Sequence, residues 1–351
     1  MVRRFLDNSG LLVAGTALAV LWANLAHEGY ARGASSLQFA VNDIGMAFFF
    51  ALAAKEVVEA TAPNGPLHPV RRSSLPLLAA VGGMAGPAVI YLGLIAALGR
   101  PELARGWAIP CATDVAFSFL AARMIFGARH PAIPFLLLLA IADDALGLVI
   151  IALFYPSGIV RPWEFCAVLS VAMGLAWWLR RRPTVNFWPY ILGPGVISWF
   201  AFHLGGLHPA LALVPIVPLL PHPAPTDFEH RVKWPVQIIL FFFGLANAGV
   251  AFTSAGMATW IVLAAIVAGK PIGIVVSTAL GSAIGLEKPV GVSWRDIVVL
   301  GIVAGVGFTV ALFFATASFP PGPLLDQAKM GALLSFSSAG IAVVVSKAWM
   351  N

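Results

Sequence analysis

Long apolar runs follow one another from residue 10 to residue 350, each closed by a short cluster of proline, glycine or charged residues. A helix needs about 20 mostly apolar residues to cross the hydrocarbon core of a bilayer. On that length the pattern predicts spans over residues 10–27, 38–60, 75–98, 107–127, 132–154, 162–179, 187–203, 207–221, 234–254, 258–281, 294–318 and 327–350. Helix breakers punctuate the linkers, as at Pro63-Asn64-Gly65-Pro66, Gly99-Arg100-Pro101, Pro156-Ser157-Gly158, Pro221-His222-Pro223 and Pro320-Pro321-Gly322-Pro323. No stretch remains for a soluble domain. The expectation is an all-α polytopic membrane protein, a single domain over 1–351 with about twelve transmembrane helices.

Composition agrees with the pattern. Of the 351 residues 60% are hydrophobic and only 10% are charged, against about 25% charged in soluble domains. So few charges cannot cover the chain with a polar surface in water. The net charge of +6 fits Lys and Arg gathered in cytoplasmic loops. With both termini in the cytoplasm, 14 of the 21 Lys and Arg fall on that side, five on the other, and Lys55 and Lys270 within spans. No basic stripe with interleaved aromatics exists, which excludes nucleic acid as a partner and leaves membrane lipid. Trp residues near the predicted span ends, Trp107, Trp163, Trp234 and Trp294 among them, suit interfacial belts. Cys111 and Cys166 both lie in apolar segments and imply neither a disulfide framework nor a metal cluster. Arg3-Arg4 ahead of an apolar run mimics a signal peptide. Trp22, Asn24 and the lack of a small-residue cleavage site favour a retained first helix.

The chemistry is expected where charges interrupt the apolar runs. An ionisable side chain at the bilayer centre costs about 2.5–3.5 kcal/mol on insertion scales, so it marks function by default. Asp114 falls in the fourth span, Asp143 and Asp144 in the fifth, and Lys270 in the tenth, while Asp43, Lys55, Glu56 and Glu59 line the second. Adjacent residues on a helix point about 100° apart, so one of Asp143 and Asp144 can face a partner helix while the other faces a cavity. Two buried carboxylates side by side resist double ionisation unless a cation arrives. Either protons or a small hard cation held by oxygen ligands can neutralise them. Lys270 is the natural counter-charge to Asp143 or Asp144. Pro110, just before Ala112-Thr113-Asp114, and the glycines of Gly301–Gly307 loosen two further spans. In such broken helices Asp114 would offset the positive end of one half-helix and Lys270 a negative end.

Seven segments together resemble the NhaA-type sodium/proton antiporters: NDIGMAFFFALAAKE (42–56), GGMAGPAVIYLG (82–93), GWAIPCATDVAF (106–117), ADDALGLVIIALFY (142–155), FFFGLANAGV (241–250), GKPIGI (269–274) and GIVAGVGFTVALF (301–313). They run in family order over most of the chain. The resemblance implies inverted repeats with two broken, crossing helices, an architecture for which the NhaA antiporters are themselves a defining example. Helices 3–5 and 10–12 would form the repeat core, with helices 1, 2, 8 and 9 flanking it or forming an interface. By the same resemblance Asp143 and Asp144 match the paired transport carboxylates, Asp144 being the closer match to the cation ligand. Lys270 matches the lysine paired with the first carboxylate, and Thr113 and Asp114 match the helix crossing. Glu56, His208, Glu229 and His230 match positions in or near a cytoplasmic pH-response region. The implied activity is electrogenic exchange of two protons for one Na⁺ or Li⁺ across a bacterial inner membrane, with no cofactor. A homodimer stays open as a partner. The loop expected at 28–37 is short, which argues against a dimerising β-hairpin. The sequence departs from the family at Ala145-Leu146-Gly147, where Leu-Gly-Ala is usual, at Lys55, where an apolar residue is usual, and at Ala60, where a second acidic residue is common. The last two predict a weaker pH switch.

Three other readings meet the same residues. A sodium-coupled symporter of a small organic anion, of the bile-acid type, needs a larger cavity. An intramembrane aspartyl protease needs a Gly-x-Gly-Asp signature, and here Gly305-Val306-Gly307 leads to Phe308. A channel would pass ions far faster than a carrier. No phosphate-binding Gly-rich loop ending in Lys-Ser/Thr is present, so nothing in the sequence calls for ATP.

Overall fold

A computed structural model of the chain describes residues 10–63, 65–67, 70–182, 186–221 and 224–350, and every regular element among them is helical. The topology argument drew on Arg3 and Arg4, and the linker assignments on Asn64, His222 and Pro223. These lie outside the described residues.

Helix α1 (Gly10–Leu25) is followed by α2 (His27–Gln38), which runs through a π-helical turn (Phe39–Gly45) into α3 (Met46–Thr61). His27–Thr61 is therefore one rod of 35 residues, and the loop expected at 28–37 is helix instead. The segment contains no proline and is polar on one side only. Its Tyr30 and Ala34 are buried, with the Tyr30 ring against Trp22 and the Tyr30 hydroxyl accepting the Gly249 N–H at 3.0 Å. Next come α4 (Val70–Ala97), a 3-10 segment (Pro101–Cys111), α5 (Val115–Phe126), α6 (Ala132–Phe154) and α7 (Pro162–Arg180). A short α8 (Trp188–Tyr190) passes through a π turn into α9 (Val196–Leu204).

Residues 207–221 do not form the expected helix. Pro209, Pro215, Pro218 and Pro221 remove backbone donors every few residues, and the chain folds into two 3-10 turns, Pro209–Leu211 and Val217–Leu219. The apolar signal there came from burial inside the protein, since Ala210, Leu211, Ala212, Ile216 and Val217 are all buried. Helix α10 (Ala224–Asn247) starts before and stops short of the span placed at 234–254. It ends where Asn247 and Asn42 exchange two amide hydrogen bonds of 2.8 and 3.1 Å. Helix α11 (Met257–Ala264) continues through a π turn (Ala265–Gly269) into α12 (Lys270–Ala283), followed by α13 (Trp294–Ala304), α14 (Phe308–Ser318), α15 (Pro323–Leu334) and α16 (Ser337–Met350).

Among the described residues six helices are long and apolar enough to cross a membrane, or eight when each of two bent pairs counts as one span. The other expected spans fall on the shorter helices α1 and α8–α9, on α10, and on the irregular 207–221 stretch. The bent pairs are Pro101–Cys111 with Val115–Phe126, turned by 55°, and Trp294–Ala304 with Phe308–Ser318, turned by 49°. Each follows one long, glycine-bearing helix and precedes another apolar one. The two preceding helices touch backbone to backbone: a Cβ on Gly273 would lie 2.0 Å from the Gly82 carbonyl oxygen, and one on Gly86 2.3 Å from that of Gly269. Small residues spaced four apart on both helices permit this approach. It brings Lys270 at the head of α12 against the broken segment.

Candidate functional site

The two helix breaks cross at one point, and their unpaired backbone groups satisfy one another. Residues 112–114 are extended, and the Asp114 N–H donates to the Val306 carbonyl at 2.6 Å. The Ser118 hydroxyl donates to the Val303 carbonyl at 3.0 Å, so the open end of α13 is capped from α5. Close contact depends on Gly307, where a Cβ would lie 2.5 Å from the Ala112 carbonyl oxygen. The Asp114 carboxylate accepts from the Phe117 N–H at the start of α5 (3.4 Å) and from the Thr309 N–H at the start of α14 (3.3 Å), and also from the Thr309 hydroxyl. One negative side chain thus sits between the positive ends of two half-helices.

Lys270 occupies the opposite pole. Its side chain is fully buried, and its ammonium donates to the Cys111 carbonyl at the end of the 3-10 segment. The same ammonium lies 3.3 Å from Asp143 Oδ2, so of the two carboxylates it is Asp143 that meets the lysine. Asp143 Oδ2 also accepts from the Thr113 hydroxyl at 2.7 Å, while the buried Oδ1 has no partner. Asp144, one residue on, turns the other way and is only half-buried. It faces a cavity of about 260 Å³ shared with Thr113, Asp114, Thr309, Glu56 and Glu229. A smaller void of about 10 Å³ touches both aspartates and is lined by Phe50, Leu148, Ile151 and Phe314.

Its mouth lies between α3 and α10. The Lys55 ammonium, on a side chain only 4% exposed, lies 2.5 Å from Glu229 Oε2 and 2.7 Å from Glu59 Oε2. Glu229 precedes the apolar part of its helix, and its hydrogen bond to Lys55 holds its carboxyl below the ordinary value. Glu56 lines the cavity and forms no ion pair among the described residues. His230 is exposed and outside the cavity lining. His208 stands apart from this group. It stacks on Phe313 at 4.8 Å, accepts the Ala210 N–H, and lies 3.9 Å from Asp43, so the four candidate pH-response residues do not form one cluster. Sequence reasoning did not single out Thr309 or Gln237, which carry no charge to stand out. Lys55 stood out as a charge within the second span and as a departure from the family pattern, but its ion pairs with Glu59 and Glu229 were not foreseen. Among the described residues no group of three or more His, Cys, Asp or Glu side chains is arranged to hold a resident metal.

Comparison with known proteins agrees with this geometry. Residues 4–346 match the family described as Na⁺/H⁺ antiporter 1. The chain is 45% identical to the Na⁺/H⁺ antiporter NhaA of Geobacter sulfurreducens, over 96% of this chain and 94% of that one. It is 46% identical to the NhaA of Desulfitobacterium hafniense, over 96% and 92%. Its fold is similar to that of the sodium proton antiporter MjNhaP1 from Methanocaldococcus jannaschii, with a TM-score of 0.57 at 14% identity over 97% of this chain and 90% of that one. With two interrupted helices crossing beside a buried Asp–Lys pair, and relatives that align along almost its whole length, the chain is a multi-pass membrane protein of the Na⁺/H⁺ antiporter 1 family.

Proposed function

We propose that this protein exports Na⁺ or Li⁺ in exchange for protons across a bacterial inner membrane by alternating access, with both termini in the cytoplasm. One observation carries the reading: Asp143 is locked to Thr113 and Lys270, while its neighbour Asp144 opens onto a cavity of about 260 Å³. Asp144 is the group that a hydrated cation meets first. Asp144, the free Oδ1 of Asp143 and the Thr113 oxygen are hard ligands suited to such an ion. Cation binding displaces the protons held at the site. Asp143 then turns its charge toward the ion, and the Lys270 ammonium loosens. Asp114 and Lys270 keep the half-helix ends neutralised while the core made by α4–α6 and α11–α16 rocks against α1–α3 and α10. Release on the far side lets protons rebind and returns the site. Glu56 and Glu229 on the entry path are the candidates for pH response, with His230 beside them; His208 is too far from them to act in concert. The four carboxylates on the cavity wall, Glu56, Asp114, Asp144 and Glu229, outnumber its two ammoniums, Lys55 and Lys233, which disfavours an organic anion and weighs against the symporter reading.

Proteoliposomes with an imposed pH gradient test this. Addition of Na⁺ or Li⁺ is expected to collapse the gradient for the unmodified protein, and Asp144→Asn is expected to show no response. No cation-coupled proton movement at any pH at which the protein stays folded would overturn the reading.

A further inference from the structure

The cavity mouth is spanned by a charged contact that the exchange cycle above does not use. Lys55 on α3 is 3% exposed. A buried ammonium is tolerated only when paired, and this one has two partners. Glu59 lies one turn further along the same helix, and Glu229 is on α10, at 2.7 and 2.5 Å. Helix α3 supplies one wall of the cavity through Phe49, Leu52 and Glu56, and α10 supplies the facing wall through Val236, Gln237 and Leu240. The Lys55–Glu229 contact joins the two walls at the rim. The carboxylates it engages are about half exposed, with side-chain accessibilities of 42% for Glu59 and 48% for Glu229.

The other charges around Lys55 are few. Its own helix carries Glu56, facing the cavity; α10 carries His230 and Lys233 on the outer rim; and α6 and α5 contribute Asp144 and Asp114 deeper in. The 209–219 turns packed on α3 hold no titratable side chain, and Arg180 of α7 reaches only the Pro218 carbonyl there. Lys55 therefore contacts two of the three carboxylates near the rim and offsets one of their two negative charges, while Glu56 forms no ion pair among the described residues.

We propose that Lys55 is a positioning residue of the exchange, which joins Glu59 to Glu229 across the cavity mouth and so sets the apparent affinity with which a cation enters toward Asp144. This rests on the antiporter reading. Lys55 touches no transported ion. It acts through the width of the mouth and through its charge.

The test measures initial exchange rates against Na⁺ concentration at low ionic strength, in proteoliposomes, for the unmodified protein and for Lys55→Leu, Lys55→Arg and Glu229→Gln. Lys55→Leu leaves one more uncompensated negative charge at the rim and is expected to lower the apparent KM by about three- to fivefold, an effect of the size Coulomb's law gives across roughly 10 Å of partly solvated path. Glu229→Gln is expected to raise it by a similar factor. Lys55→Arg restores the unmodified value, maximal rates change less than KM, and both shifts shrink as choline chloride raises the ionic strength. Because Glu229 is half exposed, Glu229→Gln carries the test if Lys55→Leu fails to fold. Unchanged KM in the variants, or shifts of the same sign in Lys55→Leu and Glu229→Gln, overturns the proposal. Absence of any exchange in the unmodified protein instead sinks the antiporter reading, and the proposal with it.

Discussion

Asp143 and Asp144 are neighbours in the chain with different surroundings, because an α-helix turns successive side chains about 100° apart. Asp143 is held between Thr113 and Lys270, and Asp144 faces the cavity. A buried pair such as Asp143–Lys270 adds little net stability, yet removing one member leaves the other buried and uncompensated. Lys270→Met is therefore expected to cost about 3–5 kcal/mol, and the double variant Asp143→Asn with Lys270→Met to recover most of that loss. Thermal unfolding in detergent measures both, and equal destabilisation of the single and double variants would show that the contact is not a coupled pair. These residues were legible in the sequence because a charge inside an apolar run has no cheap explanation. Which aspartate meets the lysine was not legible from the residues alone, since it depends on how α6 is rotated against α12; the family resemblance assigned the lysine to the first carboxylate, and the contact is with Asp143. The engagement of Lys55 was equally hidden: its partner Glu229 is 174 positions away in the chain.

At the scale of elements, the sequence located most helices and misjudged how they end. The breaks were expected from Pro110 and from the 301–307 glycines, and they fall at 112–114 and 305–307. Pro110 itself sits within a 3-10 segment, and the extended residues follow it. Hydropathy cannot separate a lipid-facing helix from a buried irregular stretch. For that reason residues 207–221 read as a span and fold as two 3-10 turns. The same measure missed α2, whose polar face hides a helix. The α4–α12 crossing, where glycines spaced four apart meet, shows close packing that no sequence reading assigned to it. Gly273→Ala places a methyl group 2.0 Å from the Gly82 carbonyl oxygen, which backbone cannot yield cheaply. It is expected to cost about 1–3 kcal/mol or more, as overpacking does, and to lower both the melting temperature and exchange. Gly93→Ala on the same α4 is the control. Nothing lies within 4 Å of its added methyl, and better helix propensity is expected to hold or raise stability by up to about 1 kcal/mol. Equal losses in the two variants would mean that helix propensity, and not the interhelical contact, sets the effect.

At the scale of the whole molecule, the cavity beside Asp144 has its mouth next to the start of α10, where Arg231 and Lys233 stand. The topology proposed above, with both termini in the cytoplasm, puts that segment in the cytoplasm. On that proposal sodium enters from inside, and the membrane potential adds about 2.3 kcal/mol per 100 mV for each net charge moved per cycle. Labelling tests the orientation directly. Cys166 is exposed and Cys111 buried, so Cys166→Ser gives a background on which Gln237→Cys introduces a thiol in the cavity wall. A membrane-impermeant maleimide is expected to label Gln237→Cys in inside-out vesicles and to leave it unlabelled in right-side-out ones. Labelling from the outer face alone would reverse the topology and with it the direction in which the cavity draws its cation. Labelling from both faces would mean that Gln237 is reached in both the inward-facing and the outward-facing state, as alternating access allows for a residue of the transport path.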